Sequence, residues 1–156
     1  MKDIYPSGLY CIYITIHNKK MSYNLFLDDK RNPKDIWSET KSPEYAVYNW
    51  VTVKDYESFV DIIKEQGLPT RVSFDHNLSE EHYGFETKKK IPYDTFEYKT
   101  GYDCAVWLIE YCIDYSQTLP LCKVHCDKSK GKSNIEGILE NFITYQSELK
   151  KKSNKK

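Results

Sequence analysis

Three places in the chain set acids or histidines directly after a short apolar run. Leu25-Phe26-Leu27 leads into Asp28-Asp29 and then Lys30-Arg31. Val72-Ser73-Phe74 leads into Asp75-His76, and Leu121 to Val124 leads into His125. Adjacent carboxylates repel, and a fold keeps such a pair in open water, protonates one member, or turns both toward a cation. Carboxylates are the ligands Mg²⁺ prefers, and it completes its shell with water and substrate oxygens. Asp28, Asp29 and Asp75 are therefore the expected ligands of Mg²⁺, or of Mn²⁺, which carboxylate and imidazole together also suit. A histidine near such an ion can give or take a proton close to neutral pH. His125 is the first candidate for that role and His76 the second, with Asp75 beside them. Each residue alone has an ordinary structural explanation. The joint signal is that three apolar runs all end on Asp or His.

A second group of residues suits an anion. Lys128, Ser129, Lys130, Gly131, Lys132 and Asn134 lie just before a helical pattern. Backbone amides and the helix dipole favour negative charge at such a start. Lys128, Ser129, Lys132 and Asn134, together with Arg31 from the first loop, are the expected contacts to phosphate. The spacing is not the GxxxxGK of a P-loop, and solvated surface explains lysines in such a loop equally well.

These groups meet only if the elements carrying them run the same way. Tyr23 to Asp28, Ala46 to Val51, Arg71 to Asp75 and Leu121 to His125 read as strands. Pro33 is expected to block regular structure, leaving Asp29 to Glu44 as a loop anchored by Ile36 and Trp37. Thr52 is a plausible N-cap for a helix with apolar positions at Val53, Tyr56, Phe59, Val60 and Ile63, ended by Gly67 and Pro69. Thr100-Gly101-Tyr102-Asp103 turns into a helix with Cys104, Trp107, Leu108, Tyr111 and Cys112 on its buried stripe. The last helix buries Ile135, Ile138, Leu139, Phe142 and Ile143. Strands alternating with amphipathic helices predict an α/β, three-layer sandwich, a mostly parallel sheet of about four or five strands with helices on both faces. Right-handed crossovers then bring the strand carboxyl ends to one edge, where open α/β sheets bind ligands. The polar insertion from Asn77 to Thr100, with His82 and Lys88-Lys89-Lys90, reads as a lid or a mobile segment.

Composition limits the alternatives. The chain has 156 residues with 23 Lys+Arg and 23 Asp+Glu, so one domain is expected and net charge does not point to a polyanion. No apolar run approaches the ~18 residues of a membrane span, and no membrane association is expected. The five cysteines lack paired zinc spacing and read as reduced cytoplasmic thiols, mostly core fillers. Residues 1–20, including the β-prone Leu9 to Ile16, read as an N-terminal extension: either Met21 is the true start or Met1 to Lys20 is dispensable. Residues 21–149 form the domain, and 150–156 a disordered basic tail.

Four motifs in order carry a resemblance: Leu25 to Pro33, Val72 to Leu78, Thr100 to Asp103 with Trp107-Leu108, and Val124-His125 through Gly131 to Ile135. From about Tyr23 to Leu139 the chain resembles the cyclic-phosphate processing receiver-like family of bacteria and their phages. The resemblance implies a receiver or flavodoxin-like fold, a metal held by the acidic pair and the aspartate after the third strand, and action on cyclic phosphates of nucleotides or RNA ends. Asp28, Asp29, Asp75, His76 and His125 match the motif positions. The chain departs from the family at Asn77, where an acid is usual, and at Cys126 to Lys130, where Ser and then Asn-Pro usually lead to the glycine. A receiver's lysine at the end of its last strand has no clear counterpart, which argues against ordinary phosphorelay signalling. Three functions follow in order of expectation: a metal-assisted phosphoesterase on cyclic phosphates, a non-catalytic receiver-like module binding a nucleotide or partner, and a phospho-accepting receiver.

Overall fold

The computed structural model describes residues 22–85 and 87–153. Four strands, β1 (Asn24–Leu27), β2 (Trp50–Val53), β3 (Arg71–Phe74) and β4 (Leu121–Val124), form one sheet in the order β2-β1-β3-β4. Every pairing is parallel, as the alternation of strands and helices predicts. Five helices complete the fold: α1 (Pro33–Thr40), α2 (Glu44–Val47), α3 (Tyr56–Gln66), α4 (Gly101–Asp114) and α5 (Lys130–Ser153). Two 3₁₀ turns, Glu80–His82 and Tyr93–Thr95, interrupt the insertion after β3.

Side chains alternate across a strand, and this sorts the core into two parts. Leu25, Leu27, Val72, Phe74 and Val124 pack with Phe59, Ile63, Cys104, Leu108, Ile135 and Leu139 from α3, α4 and α5. Phe26 points the other way, into a smaller cluster with Ile36, Tyr45 and Trp50 supplied by α1, α2 and the start of β2. Ser73 follows the same parity and meets Tyr45 on this second face. The three layers are therefore unequal, with three helices on one face and two short ones on the other. Cys104 and Cys112 are buried in the main core, as expected of filler thiols. Among the described residues no helix is long and apolar enough to cross a membrane.

Several local expectations are corrected. Asp29 to Glu44 is not a loop: Asn32 caps α1, its side chain accepting from Lys34 N and Asp35 N while Asp35 answers the Asn32 amide, and Pro33 occupies the first turn. Proline is tolerated there because its missing N–H would have no helical partner. Ile36 is buried, whereas Trp37 is 39% exposed. The strand expected at Ala46 to Val51 starts at Trp50. The preceding residues form α2, whose Tyr45 is drawn onto Phe26 in an edge-on ring contact with centroids 6.1 Å apart. The cap of α3 is Asp55, which accepts from Ser58 N, not Thr52, which lies within β2. Ile143 is half exposed rather than core. Helix α5 continues through Lys150 to Ser153, so four residues of the expected disordered tail are helical. The expected extension, residues 1–20, lies outside the described residues.

Candidate active site at the carboxyl edge of the sheet

The ladder does not stop where the strands do. Asp28 N donates to Val53 O at 3.1 Å, Asp75 N to Leu27 O at 2.8 Å, and His125 N to Phe74 O at 2.9 Å. These three bonds continue the register past Leu27, Phe74 and Val124 and fix three chemistry-bearing residues along one edge. Asp28, Asp75 and His125 are all buried.

The segment after β1 is shaped by Asp28. Its Oδ1 accepts from Lys30 N at 2.9 Å and Arg31 N at 2.7 Å, bending the chain at once. Its Oδ2 accepts from Arg31 Nε at 2.9 Å and faces His125 Nε2 at 3.1 Å. A carboxylate offers about four lone-pair positions, and all of those on Asp28 are taken. Burial alone would raise this carboxyl; the bonds from His125, the two amides and Arg31 outweigh it and hold it below the ordinary range. Asp29 has the opposite environment. Burial and the neighbouring Asp28 charge raise it against the pull of Lys30, and among the described residues its Oδ1 is a buried oxygen without a hydrogen-bond partner.

Asp75 completes the acidic set. Its Oδ1 accepts from His76 N at 2.8 Å, and its Oδ2 lies 3.5 Å from an Arg31 terminal nitrogen. Burial and then Asp28 push it up to about 7, although Arg31 and the His76 amide oppose this. One carboxylate oxygen from each of Asp28, Asp29 and Asp75 falls within 4.8 Å of the others. An unpaired buried oxygen beside a carboxyl that resists ionisation is an arrangement that a bound cation would satisfy. The donor set, all oxygen, fits Mg²⁺ or Mn²⁺, with Asp29 and Asp75 as the carboxylates that have lone pairs to offer.

Two glycines let helices come up against this edge. Thr100 caps α4 in a reciprocal box with Asp103, and Gly101 N donates to His76 O at 2.9 Å. A Cβ on Gly101 would sit 1.8 Å from Asp75 O. A Cβ on Gly131, at the start of α5, would lie 2.3 Å from Cγ of the His76 ring. The His76 ring is thus packed against the first turn of α5. Its Nδ1 bonds Asn77 Oδ1 at 2.7 Å and its Nε2 bonds the Tyr93 hydroxyl at 3.1 Å, and that hydroxyl also accepts from Asn134 Nδ2 at 2.8 Å. Tyr93 itself stacks on Tyr102, centroids 4.4 Å apart.

The insertion is therefore built in, not loose. His82 is buried and pins it at both ends, accepting from Leu78 N and bonding Tyr98 O, each at 3.0 Å. Glu81 accepts from the amides of Glu97 and Tyr98. Tyr83 and Asn77 form part of the wall of a cavity of about 270 Å³, whose other lining residues are Asp28, Lys30, Arg31, Asp75, His76, Cys126, Asp127 and Ser129.

Of the residues expected from sequence, Asp28, Asp75, His76, Arg31 and Ser129 share this cavity, and Asp29 joins Asp28 and Asp75 in the acidic cluster. Lys128, Lys132, Asn134 and His125 do not line it. Lys128 is exposed, Lys132 reaches the Cys126 carbonyl and Glu136, and Asn134 serves Tyr93. His125 stands behind Asp28, its ring stacked on Phe26 with centroids 4.4 Å apart and planes 11° from parallel. Burial lowers its pKa more than the Asp28 carboxylate raises it. Sequence reasoning passed over Tyr45, Ser73, Tyr83 and Tyr93. Only Ser73 carried a signal, a hydroxyl between the apolar Val72 and Phe74 of β3.

The family model described as cyclic-phosphate processing receiver domain matches residues 23–141, which takes in every element that builds this edge. The chain belongs to that family. Comparisons with curated proteins and with solved structures find no match. The all-parallel sheet with helices on both faces is consistent with a cyclic-phosphate processing receiver domain.

Proposed function

We propose that the chain is a metal-assisted phosphoesterase that opens cyclic phosphates of nucleotides or RNA ends. The observation that carries this reading is the buried, unpartnered Oδ1 of Asp29 beside Asp75. Asp29 and Asp75 would hold Mg²⁺ or Mn²⁺. When bound, the ion neutralises phosphate charge and supplies an activated water. Arg31 is locked to Asp28 through Nε and turns one terminal nitrogen toward Asp75 and the other toward Glu39, so the nitrogen beside Asp75 is the one placed to bond a phosphate oxygen. Ser129, at the start of α5, faces the same cavity and offers a hydroxyl to the phosphate.

His76 is the histidine on the cavity wall, so the proposal places proton transfer to the leaving ribose oxygen there, with Nε2 exchanging its 3.1 Å bond to the Tyr93 hydroxyl for the substrate oxygen. Asn77, Tyr93 and Gly131 orient its ring. His125 supports the site from behind Asp28. The insertion contributes a fixed wall through Tyr83 and Asn77.

The test is chromatographic product analysis. The protein is incubated with 2′,3′-cyclic and 3′,5′-cyclic mononucleotides and with an oligoribonucleotide ending in a cyclic phosphate, with Mg²⁺, Mn²⁺ or chelator. The expected result is metal-dependent opening of one substrate that is lost in Asp75→Asn and reduced at least tenfold in His76→Ala. Intact substrates in every lane from a folded protein would refute the enzyme and leave the non-catalytic binding module.

A further inference from the structure

A line of buried side chains runs from the thin face of the sheet into the acidic cluster. The Tyr45 hydroxyl lies 2.8 Å from Ser73 Oγ, Ser73 Oγ lies 2.7 Å from His125 Nδ1, and His125 Nε2 lies 3.1 Å from Asp28 Oδ2. All four residues are buried. Strand parity places them together: Phe26, Ser73 and His125 point to the α1/α2 side, where Phe26 stacks on the imidazole and Tyr45 meets it edge-on.

The partners set the direction of the line. Asp28 Oδ2 also accepts from Arg31 Nε, so it is an acceptor and His125 Nε2 carries the proton. An imidazole with its proton on Nε2 has a bare Nδ1, which needs a donor. Ser73 has one hydroxyl proton and gives it to Nδ1. Its oxygen is then free to accept the proton of Tyr45. Every hydroxyl proton has an acceptor in this arrangement. In the reverse arrangement, Nδ1–H would donate to Ser73, Ser73 would donate to Tyr45, and Asp28 Oδ2 would face a bare nitrogen.

We infer that Tyr45 and Ser73 are positioning residues of the site, which set the His125 imidazole in its Nε2–H form so that it holds Asp28 from behind. His125 then acts through a carboxylate and touches neither substrate nor cavity. The consequence is transmitted forward. Asp28 fixes Arg31 through Nε, and Arg31 reaches Asp75. A loosened Asp28 leaves the guanidinium free to pair more fully with Asp75, in the place a cation would take. The functional part of this inference rests on the metal-assisted reading above; the hydrogen-bond order does not.

The experiment joins two readouts on the full chain. Long-range ¹H–¹⁵N spectra of the metal-free protein report which His125 nitrogen is protonated, and Mn²⁺ titration followed by electron paramagnetic resonance reports affinity. We expect the Nε2–H form in the native protein and its loss or averaging in Ser73→Ala. We expect Mn²⁺ affinity to fall severalfold in Ser73→Ala, less than the roughly 10- to 100-fold seen when a group bonded directly to a metal ligand is removed, because Ser73 acts through His125 and Asp28. Ser73→Thr, which keeps the hydroxyl, restores both. Tyr45→Phe, nearly isosteric, weakens both in the same direction. Adding Ser73→Ala to His125→Gln produces no further loss, because both act along one line. A proton on Nδ1 in the native protein, or unchanged imidazole signals in Ser73→Ala, would overturn the inference. A native protein that binds no Mn²⁺ would count against the metal reading, and the imidazole spectra would still decide the relay.

Discussion

Asp75→Asn should stabilise the metal-free protein, and the gain should depend on pH in a defined way. The Asp75 carboxyl is buried against Asp28 and rises from 3.8 to about 7. A rise of that size corresponds to about 4 kcal/mol at 1.36 kcal/mol per pH unit. Below about pH 4 the carboxyl is neutral in both folded and unfolded chains, and the fold loses nothing. Between about 4 and 7 the folded state keeps a proton that the unfolded state has released, so stability falls as pH rises. Above about 7 the full cost is present. Asparagine carries no charge at any pH and removes this dependence.

Other groups act in the opposite direction. The depressed Asp28 and His125 both favour the fold as pH rises, so the variant is compared with the native protein at each pH. Urea unfolding by circular dichroism in EDTA should show Asp75→Asn more stable by about 2–4 kcal/mol at pH 8, a Tm gain of roughly 5–15 °C, narrowing to about 1 kcal/mol at pH 4.5. Mg²⁺ at 100 times its Kd should return about 2.7 kcal/mol to the native protein and much less to the variant. An Asp75→Asn protein no more stable than the native one at pH 8, or one whose advantage is the same at both pH values, would refute the argument that Asp75 is a buried charge waiting for a cation.

Asp29→Asn should abolish the Mg²⁺-induced rise in Tm while leaving the metal-free Tm within a few degrees, since among the described residues its Oδ1 has no partner to lose; thermal unfolding with and without Mg²⁺ checks this. Gly131→Ala should destabilise by about 1–3 kcal/mol through overpacking against the His76 ring and shift the His76 signals in ¹H–¹⁵N spectra. Gly101→Ala should cost at least as much, because its Cβ would meet the Asp75 backbone carbonyl, which cannot swing aside as a side chain can; denaturant titration of the two variants ranks them.

How much of this was legible depends on the element. β1, β3 and β4 announce themselves as apolar runs ended by Asp or His, and the parallel edge followed from their alternation with helices. The start of β2 slid by four residues because β-prone residues run through Ala46 to Val53, broken only at Ala46 and Asn49; the burial of Tyr45 against Phe26, a contact between segments distant in sequence, decided which part became helix. The start of α1 was written in plain view as Asn32-Pro33-Lys34-Asp35, a capping box with proline in the first turn. Reading proline only as a breaker hid it. The site residues were legible as an assembly, and their orientations were not. His125 follows Val124 by one residue, and period-2 alternation turns it to the Phe26 face and away from the cleft. Lys132 and Asn134 lie in the first turns of α5, where their partners are Cys126, Glu136 and Tyr93.

The Asp28-Asp29 pair poses a physical problem, and the fold resolves it by treating the two acids differently. Identical carboxylates one residue apart cannot both sit unbalanced at a buried edge. Asp28 receives four protein donors, among them Arg31 and the histidine relay, and becomes an anion with no capacity to spare. Among the described residues Asp29 receives none at Oδ1. The charge of Arg31 is spent mainly on Asp28 at 2.9 Å and reaches Asp75 only at 3.5 Å, so Asp29 and Asp75 remain under-neutralised together. Redistributing the donors evenly would stabilise the apo protein and leave no place for a cation. The asymmetry therefore predicts which substitutions separate stability from binding. Changes at Asp29 or Asp75 should cost little stability or raise it while removing metal. Changes at Asp28, Ser73 or His125 should lower both together, because those residues hold in place the geometry that leaves the other two exposed to a cation.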